Sequence, residues 1–201
     1  SARPPGTSCG FRGRSVPAVT EAPTAPTAPS GDGLWAPARR RLTVGLVMTI
    51  TLVAFESLAI ATVMPKVEDD LGDLHLYGWV FSGFFLASLA GTVLTGILAD
   101  TRGPALPFGV GLVLFAAGLL VGGLAPSMVV LIGARLAQGF GAGAIPAAAY
   151  VAVARGYPVA LRPRVFAVFS TAWVVPGLVG PSLAAVIERH SSWHWVFLGL
   201  I

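Results

Sequence analysis

The sequence predicts an all-α membrane protein whose helices form one bundle. Of its 201 residues, 55% are hydrophobic and only 11% are charged, and the mean hydropathy is +0.78. A soluble domain of this size needs far more polar surface, so the composition excludes a soluble globular protein. A helix needs about 20 residues to cross a bilayer core of about 30 Å, and several uncharged runs reach that length.

Five apolar runs are long enough to be membrane spans, and a sixth begins near the last residue. They lie at about 42–64, 77–99, 105–125, 127–154 and 165–187, followed by 193–201. The sixth run is too short to cross a bilayer, which predicts that the chain is a fragment truncated in this helix. The connections are short: about a dozen residues follow the first run, and Pro126 alone separates the third from the fourth. Short connections predict antiparallel neighbouring helices in a compact bundle.

The residues before the first span form a separate segment. Residues 1–38 are rich in Pro, Ala, Thr and Gly, and include the stretch APTAPTAPS. Such a segment buries too little apolar surface to fold, so we expect a disordered cytoplasmic leader at 1–38 and the transmembrane bundle at 39–201. Cys9 is the only cysteine, which excludes an intrachain disulfide and a cysteine metal cluster.

The charged residues are divided between the two sides of the predicted bundle. Arginines flank the ends on one side, at Arg39, Arg40, Arg41, Arg102, Arg155, Arg162 and Arg164, and acidic residues follow the first run at Glu68, Asp69, Asp70 and Asp73. By the positive-inside rule, the N-terminus is cytoplasmic and the chain is a multi-pass protein of the cell (plasma) membrane. The arginines are scattered and lack aromatic interleaving, so we expect no nucleic-acid partner.

Small residues indicate how the helices pack. In lipid, glycines let helix backbones approach closely, and they recur at Gly91, Gly96, Gly109, Gly111, Gly118, Gly122 and Gly123. An internal echo also appears: Val-Phe-Ser occurs at 80–82 and again at 168–170, at nearly the offset between the starts of the first and fourth runs. This pattern predicts two inverted three-helix repeats.

Two charges stand alone within apolar spans. Glu56 lies eight residues before the end of the first run, and Arg135 lies eight residues after the start of the fourth. Because the two helices run in opposite directions, both charges lie about 12 Å below the same boundary. An ionisable group at membrane depth indicates function. At one level the two side chains can face a shared cavity, where the carboxylate exchanges a proton and the guanidinium stays charged. A static ion pair is the structural alternative.

The second helix ends in a turn with recognisable chemistry. Gly96 permits close approach of a neighbour, Asp100 can cap the positive end of an adjacent helix, and Gly103 allows the chain to reverse before the third helix. Arg102 lies between the last two.

The stretch from Gly96 to Pro104 resembles the loop motif of major facilitator superfamily transporters, Gly-x-Leu-Ala-Asp-Arg-x-Gly-Arg-Lys. Thr101 replaces the arginine after the aspartate, and Pro104 and Ala105 replace the basic pair. The resemblance implies that this segment, called the switching loop below (96–104), controls conformational switching through Gly96, Asp100, Arg102 and Gly103.

The fourth span contains a second motif of the same family. Arg135, Gln138, Gly139, Gly141 and Gly143 lie in the stretch RLAQGFGAGA, which resembles Arg-x-x-Gln-Gly-x-Gly-Ala. The resemblance implies that Arg135 takes part in proton transfer. Pro146 follows and removes a helical hydrogen bond, so we expect local bending.

The fifth span contains Pro176, Gly177, Gly180 and Pro181. Two prolines and two glycines weaken the helical hydrogen bonds and create a smooth, kinkable face. The segment is similar to the antiporter motif of exporters, Gly-x-x-x-Gly-Pro-x-x-Gly-Gly, with Gly177 displaced by one position and Ala184 and Ala185 in place of the last glycines.

Two further resemblances indicate the subgroup. The stretch from Glu56 to Pro65 resembles the first-helix signature of fourteen-helix drug/proton antiporters, Asp-x-Thr-x-x-Asn-x-Ala-Leu-Pro, with Ala61 at the asparagine position. Trp193-His-Trp195-Val-Phe197 resembles the Trp-Arg-Trp-Ile-Phe stretch that begins the sixth helix. The resemblance covers about 40–201 and implies the N-terminal six-helix half of such a transporter.

The resemblance implies a secondary transporter that exports drugs or other small lipophilic or cationic compounds in exchange for protons, by alternating access. Its partners are then a small-molecule substrate, protons, the bilayer and the C-terminal half of the same protein, with no cofactor, catalytic residue or metal. The alternatives are a proton-coupled importer or metabolite permease, a non-transporting scaffold, and a membrane-embedded enzyme. For the enzyme, Glu188, His190 and His194 form the one candidate zinc cluster.

Overall fold

A computed structural model describes residues 36–190 and 192–199, without the side chains at 38, 184 and 187–190. Within this part every regular element is a helix. The helices are α1 (Pro37–Leu71), α2 (Tyr77–Arg102), α3 (Ala105–Gly123), α4 (Met128–Gly156), α5 (Arg162–His190) and α6 (His194–Leu198), with short 3-10 turns at Leu74–Leu76 and Val159–Leu161. Five of the helices, α1 to α5, are long and apolar enough to cross a membrane. This confirms the predicted fold class. The predicted leader lies outside the described residues except for 36–38, where Pro37 begins α1.

The first helix is longer than predicted. It continues through Pro65 to Leu71, whereas hydropathy placed the end of the span at 64. The added turns are polar but helical, with Lys66 and Asp70 paired at 3.4 Å across one turn and Val67 buried. Gly72 then adopts a φ of +70°, which ends the helix. The connection to α2 is therefore residues 72–76, and the prediction of about a dozen residues is wrong.

The connection between α3 and α4 is also different from the prediction. It comprises residues 124–127 rather than Pro126 alone. Ser127 is the N-cap of α4 and accepts a hydrogen bond from the backbone N–H of Val130 at 3.5 Å. The serine therefore lies at the helix boundary because its hydroxyl satisfies an otherwise free N–H group.

The helices pack around α4, which contacts α2 and α3 along most of its length. α1 packs mainly against α5, and α6 packs against α3. If α1–α3 and α4–α6 are equivalent repeats, α1 corresponds to α4 and α2 corresponds to α5. The observed α1–α5 and α4–α2 pairs are then equivalent contacts, as two three-helix repeats would produce. One end of the bundle contains the last turns of α2 and α4 and the first turn of α5. We call it the arginine-rich end, because it carries Arg102, Arg155, Arg162 and Arg164.

Glycines make the contacts of α4 possible. A Cβ at Gly143 would lie 1.9 Å from the backbone oxygen of Ser88 in α2, and one at Gly141 would lie 2.4 Å from the backbone oxygen of Gly111 in α3. The two neighbouring backbones therefore reach α4 from different directions only because these side chains are absent. Gly96 and Gly109 are different: no described atom lies within 4 Å of a Cβ at either position. The predicted close approach is wrong at these two sites.

The outer surface of the bundle is largely apolar. Large side chains such as Phe85 (67% exposed) and Leu178 (77% exposed) point away from the described helices. In water such a surface would aggregate, whereas in a bilayer it faces lipid or further helices. The exposure pattern agrees with an integral membrane protein.

The glycine contacts of α4 generate the first prediction. Gly143→Ala should lower the stability of the full-length protein by about 1–3 kcal/mol, because the methyl group would overlap the α2 backbone. Gly133→Ala on the same helix is the matched control, since nothing lies within 4 Å of its Cβ. The control should be neutral or stabilising by up to about 1 kcal/mol. Thermal unfolding in detergent measures both, and equal effects would contradict the packing described here.

Candidate functional site

The two isolated charges meet in the interior of the bundle. An Nη1 hydrogen of Arg135 on α4 is donated to Oε1 of Glu56 on α1, and the two side chains form an ion pair. Each side chain is only 1% exposed. Their equal depth, predicted from the antiparallel spans, therefore brings them into direct contact. Both groups are enclosed by described residues, so the shared cavity predicted from the sequence is not open in this conformation.

Two further side chains hold Arg135. Its Nη1 also donates to Oε1 of Gln138, one turn along α4, at 2.8 Å. Its Cζ lies 4.0 Å from the centre of the Phe84 ring on α2, which is cation–π geometry. The site therefore draws one side chain each from α1 and α2 and two from α4. Phe84 was not among the sequence candidates, because a phenylalanine in an apolar span carries no signal of its own.

Two glycines set the positions of these partners. A Cβ at Gly139 would lie 2.3 Å from the backbone oxygen of Phe84, so its absence lets α2 bring that ring over Arg135. A Cβ at Gly118 of α3 would lie 2.6 Å from the Cβ of Gln138. The glycine motif of α4 therefore acts on the site through backbone approach. Gly139 lies at the site, while Gly141 and Gly143 hold the same helix farther along. α4 continues as one helix through Pro146.

Three polar atoms of this cluster remain without a hydrogen-bond partner among the described residues. They are Oε2 of Glu56, Nε of Arg135 and Nε2 of Gln138. Buried polar atoms normally have hydrogen-bond partners, so these three atoms require an explanation. Oε2 of Glu56 has free lone pairs where a proton can add without displacing Arg135 from Oε1.

The switching loop is held from another helix. Nη2 of Arg155, in the last turn of α4, donates to the backbone oxygens of Ala99 at 3.0 Å and of Asp100 at 3.3 Å. Gly103 has a φ of +83°, so the predicted reversal is confirmed. Arg102 is exposed.

Asp100 does not cap α3, the helix that follows it. The N-cap of α3 is Pro104, without a side-chain hydrogen bond, and the exposed Asp100 carboxylate has no hydrogen bond or ion pair within the described residues. The chain turns too tightly, in two residues between α2 and α3, for Asp100 to reach the free N–H groups that follow. In the sequence, Arg155 fits only the positive-inside pattern, and its contact with α2 carries no sequence signal.

The proline-glycine segment of α5 faces the first helix. Pro176 and Gly180 are buried, and a Cβ at Gly180 would lie 3.6 Å from the Phe55 ring and 3.8 Å from the Cβ of Leu58. These two α1 residues flank Glu56 in sequence. Gly177 and Pro181 are on the more exposed side. α5 runs without interruption through both prolines. The smooth face therefore packs against the part of α1 that carries the acid.

The candidate zinc cluster lies largely outside the described side chains, because Glu188 and His190 are not described. His194 is described, and its Nδ1 lies 2.7 Å from Oγ of Ser192. Within the described residues, no group of His, Cys, Asp and Glu side chains could hold a metal ion.

Comparison with known proteins places this geometry in a family. Residues 44–201 match the Major Facilitator Superfamily. The chain is 32% identical over 154 residues to Multidrug resistance protein 3 of Bacillus subtilis, an alignment that covers 77% of this chain and 30% of that protein. It is 26% identical over 154 residues to the multidrug efflux pump SdrM of Staphylococcus aureus, covering 77% of this chain and 34% of the pump.

A third relative is the multidrug transporter protein MdtP of Bacillus subtilis, 29% identical over 159 residues, which are 79% of this chain and 29% of MdtP. The chain thus spans about a third of the length of the curated relatives it matches. The family match covers most of the described bundle, including Glu56, Arg135 and the switching loop. This chain belongs to the Major Facilitator Superfamily, a family of membrane transporters and not of enzymes.

Proposed function

We propose that the full protein is a proton-coupled exporter of small lipophilic or cationic compounds, and that Glu56 is its proton carrier. The observation that carries the proposal is the buried Glu56–Arg135 pair with a free carboxylate oxygen. The names of the relatives, a multidrug resistance protein, a multidrug efflux pump and a multidrug transporter protein, support the substrate class. In the cell, the arginine-rich end would face the cytoplasm of a plasma-membrane protein.

The proton step follows from the geometry of the carboxylate. In the ionised pair, Oε1 accepts from Arg135 and Oε2 has no partner. A proton added to Oε2 forms a new O–H bond from an oxygen lone pair, while Oε1 remains an acceptor for the guanidinium. The pair then changes from neutral to a net charge of +1. Arg135 does not lose its proton, because a guanidinium stays protonated in proteins.

This change of charge can couple the proton to a substrate. A net positive charge in a low-dielectric interior repels a second cation strongly. A cationic substrate is therefore favoured near the ionised pair and disfavoured when Glu56 is protonated. Proton and substrate exclude each other, which is the condition for exchange: Glu56 takes a proton from the outer side and releases it inside, and the substrate moves the opposite way.

Access to Glu56 requires a movement, because the carboxyl group is enclosed in the described conformation. The contact between Gly180 on α5 and the residues that flank Glu56 is a suitable place. A smooth surface can slide without locking side chains together. Pro176, Gly177, Gly180 and Pro181 would then control whether water reaches the acid. The apolar faces left exposed would pack against a second half of the transporter.

The first functional prediction concerns Glu56→Gln. The amide keeps an oxygen that can accept from Arg135 but cannot carry the proton. In proteoliposomes of the full-length protein, with the membrane potential clamped, acid-loaded vesicles should take up tetraphenylphosphonium as protons leave. Glu56→Gln should abolish this uptake. Its melting temperature should fall, because Arg135 stays buried without its counter-ion, so uptake is measured well below the melting temperature of the variant.

Asp69→Asn is the matched control for this experiment. It makes the same acid-to-amide change on the same helix, at an exposed position far from the pair, and should transport normally. Unchanged transport in Glu56→Gln would contradict the role of the acid. A proton-coupled importer would expel the cation from acid-loaded vesicles, and a scaffold would move none in any variant.

A double-mutant cycle tests the ion pair itself. Arg135→Gln leaves Glu56 buried without its cation and should destabilise the protein by about 3–5 kcal/mol. Adding Glu56→Gln removes the buried charge, so the double variant should be more stable than Arg135→Gln alone. Thermal unfolding of the wild type, both single variants and the double variant gives the coupling. Strictly additive effects would show that the two side chains do not interact.

A further inference from the structure

We propose that Arg155 is a positioning residue that fixes the switching loop, taking the place of the loop arginine that this chain lacks. The proposal rests on the proposed transport function and on the role in conformational switching that the family resemblance implies for this loop. Its basis is an arginine that reaches from the end of α4 to the last turn of α2.

The end of α2 provides an acceptor site for a cation. The last four carbonyl groups of a helix lack helical partners, and the helix dipole places negative charge there. One nitrogen of Arg155 donates to the backbone oxygens of Ala99 at 3.0 Å and of Asp100 at 3.3 Å. The oxygen of Asp100 belongs to these terminal groups, whereas the oxygen of Ala99 also accepts the backbone N–H of Gly103 at 3.0 Å. Gly103 lies beside the same guanidinium, since a Cβ there would be in ordinary contact with Nη1 of Arg155 at 3.7 Å.

The residues of the loop do not provide this cation themselves. Thr101, which stands at the arginine position of the family motif, turns its hydroxyl back onto its own helix and donates to the backbone oxygens of Ile97 and Leu98 at 3.4 and 3.2 Å. Arg102 is exposed and has no hydrogen bond or ion pair within the described residues. Of the described cations, Arg155 is the one that binds the end of α2.

The consequence concerns Asp100. Arg155 holds the backbone of this residue, while its carboxylate stays exposed and unbonded within the part of the chain that the structure describes. The Asp100 carboxylate therefore has a fixed position on the surface of the described helices, where a residue outside them can bind it. When Arg155 is removed, the turn should loosen and the acid should lose its fixed position, although the Glu56–Arg135 pair is unaffected.

The test uses the full-length protein in which every cysteine, including Cys9, is replaced by serine, with a spin label on Ala105→Cys, an exposed position directly after the loop. In this background Arg155→Gln should increase the mobility of the label and reduce the maximal transport rate about tenfold, the change expected for one lost hydrogen bond from a charged donor. The KM for tetraphenylphosphonium should be unchanged, because Arg155 binds the end of α2 and has no hydrogen bond to the Glu56–Arg135 pair. Arg155→Lys should give a label mobility and a transport rate between those of the parent and those of Arg155→Gln, since an ammonium group lacks the planar fork of arginine.

Arg164→Gln is the matched control, because it removes an exposed arginine from the same end without a contact to α2. It should leave both readouts unchanged. The proposal is overturned if Arg155→Gln and Arg155→Lys leave the label as immobile as in the parent, or if Arg164→Gln loosens it equally. Label mobility is read without transport, so a failure of proton coupling at Glu56 would leave this result standing.

Discussion

The desolvated ion pair between Glu56 and Arg135 is the constraint on which the rest of the bundle depends. Removing a guanidinium from water is expensive, and its cost is offset only when the surroundings supply several good partners. Here the partners are a carboxylate from α1, an amide from α4 and an aromatic face from α2. Three helices must therefore converge on one point within hydrogen-bond distance.

Glycine makes that convergence possible. At Gly139 and Gly143 the α2 backbone reaches α4 at distances that no side chain would tolerate, and at Gly118 and Gly141 the α3 backbone does the same. Since lipid provides little drive for helices to associate, this close packing is also what holds the bundle together. Protonation of Glu56 would therefore change the charge at the centre of a closely packed group of helices. Under the proposed function, such a group can move as one body against the second half of the transporter.

The sequence predicts the spans and the central pair well. Hydropathy and single motifs are less reliable where tertiary contacts determine the end of a helix or the packing of a glycine. Hydropathy locates all five helices, and antiparallel counting puts Glu56 and Arg135 at one depth. Hydropathy does not predict the extension of α1 through Pro65, because helical hydrogen bonding continues into polar residues that have the hydropathy of a loop. The motif glycine Gly96 predicts close packing that the structure does not contain, because no described neighbouring helix lies within 4 Å of a Cβ at this position. Phe84 and Arg155 could not be found, because both act through tertiary contacts between distant segments.

The central claim is that Glu56 gives up a proton when substrate binds. The most direct measurement adds tetraphenylphosphonium to the purified full-length protein in weakly buffered detergent solution and follows proton release with an indicator dye. The wild type should release protons as the cation binds, at a pH where Glu56 is protonated before binding. Glu56→Gln, which keeps the pair at a net charge of +1, should bind the cation weakly and release no proton. Equal proton release from the wild type and from Glu56→Gln would contradict the account.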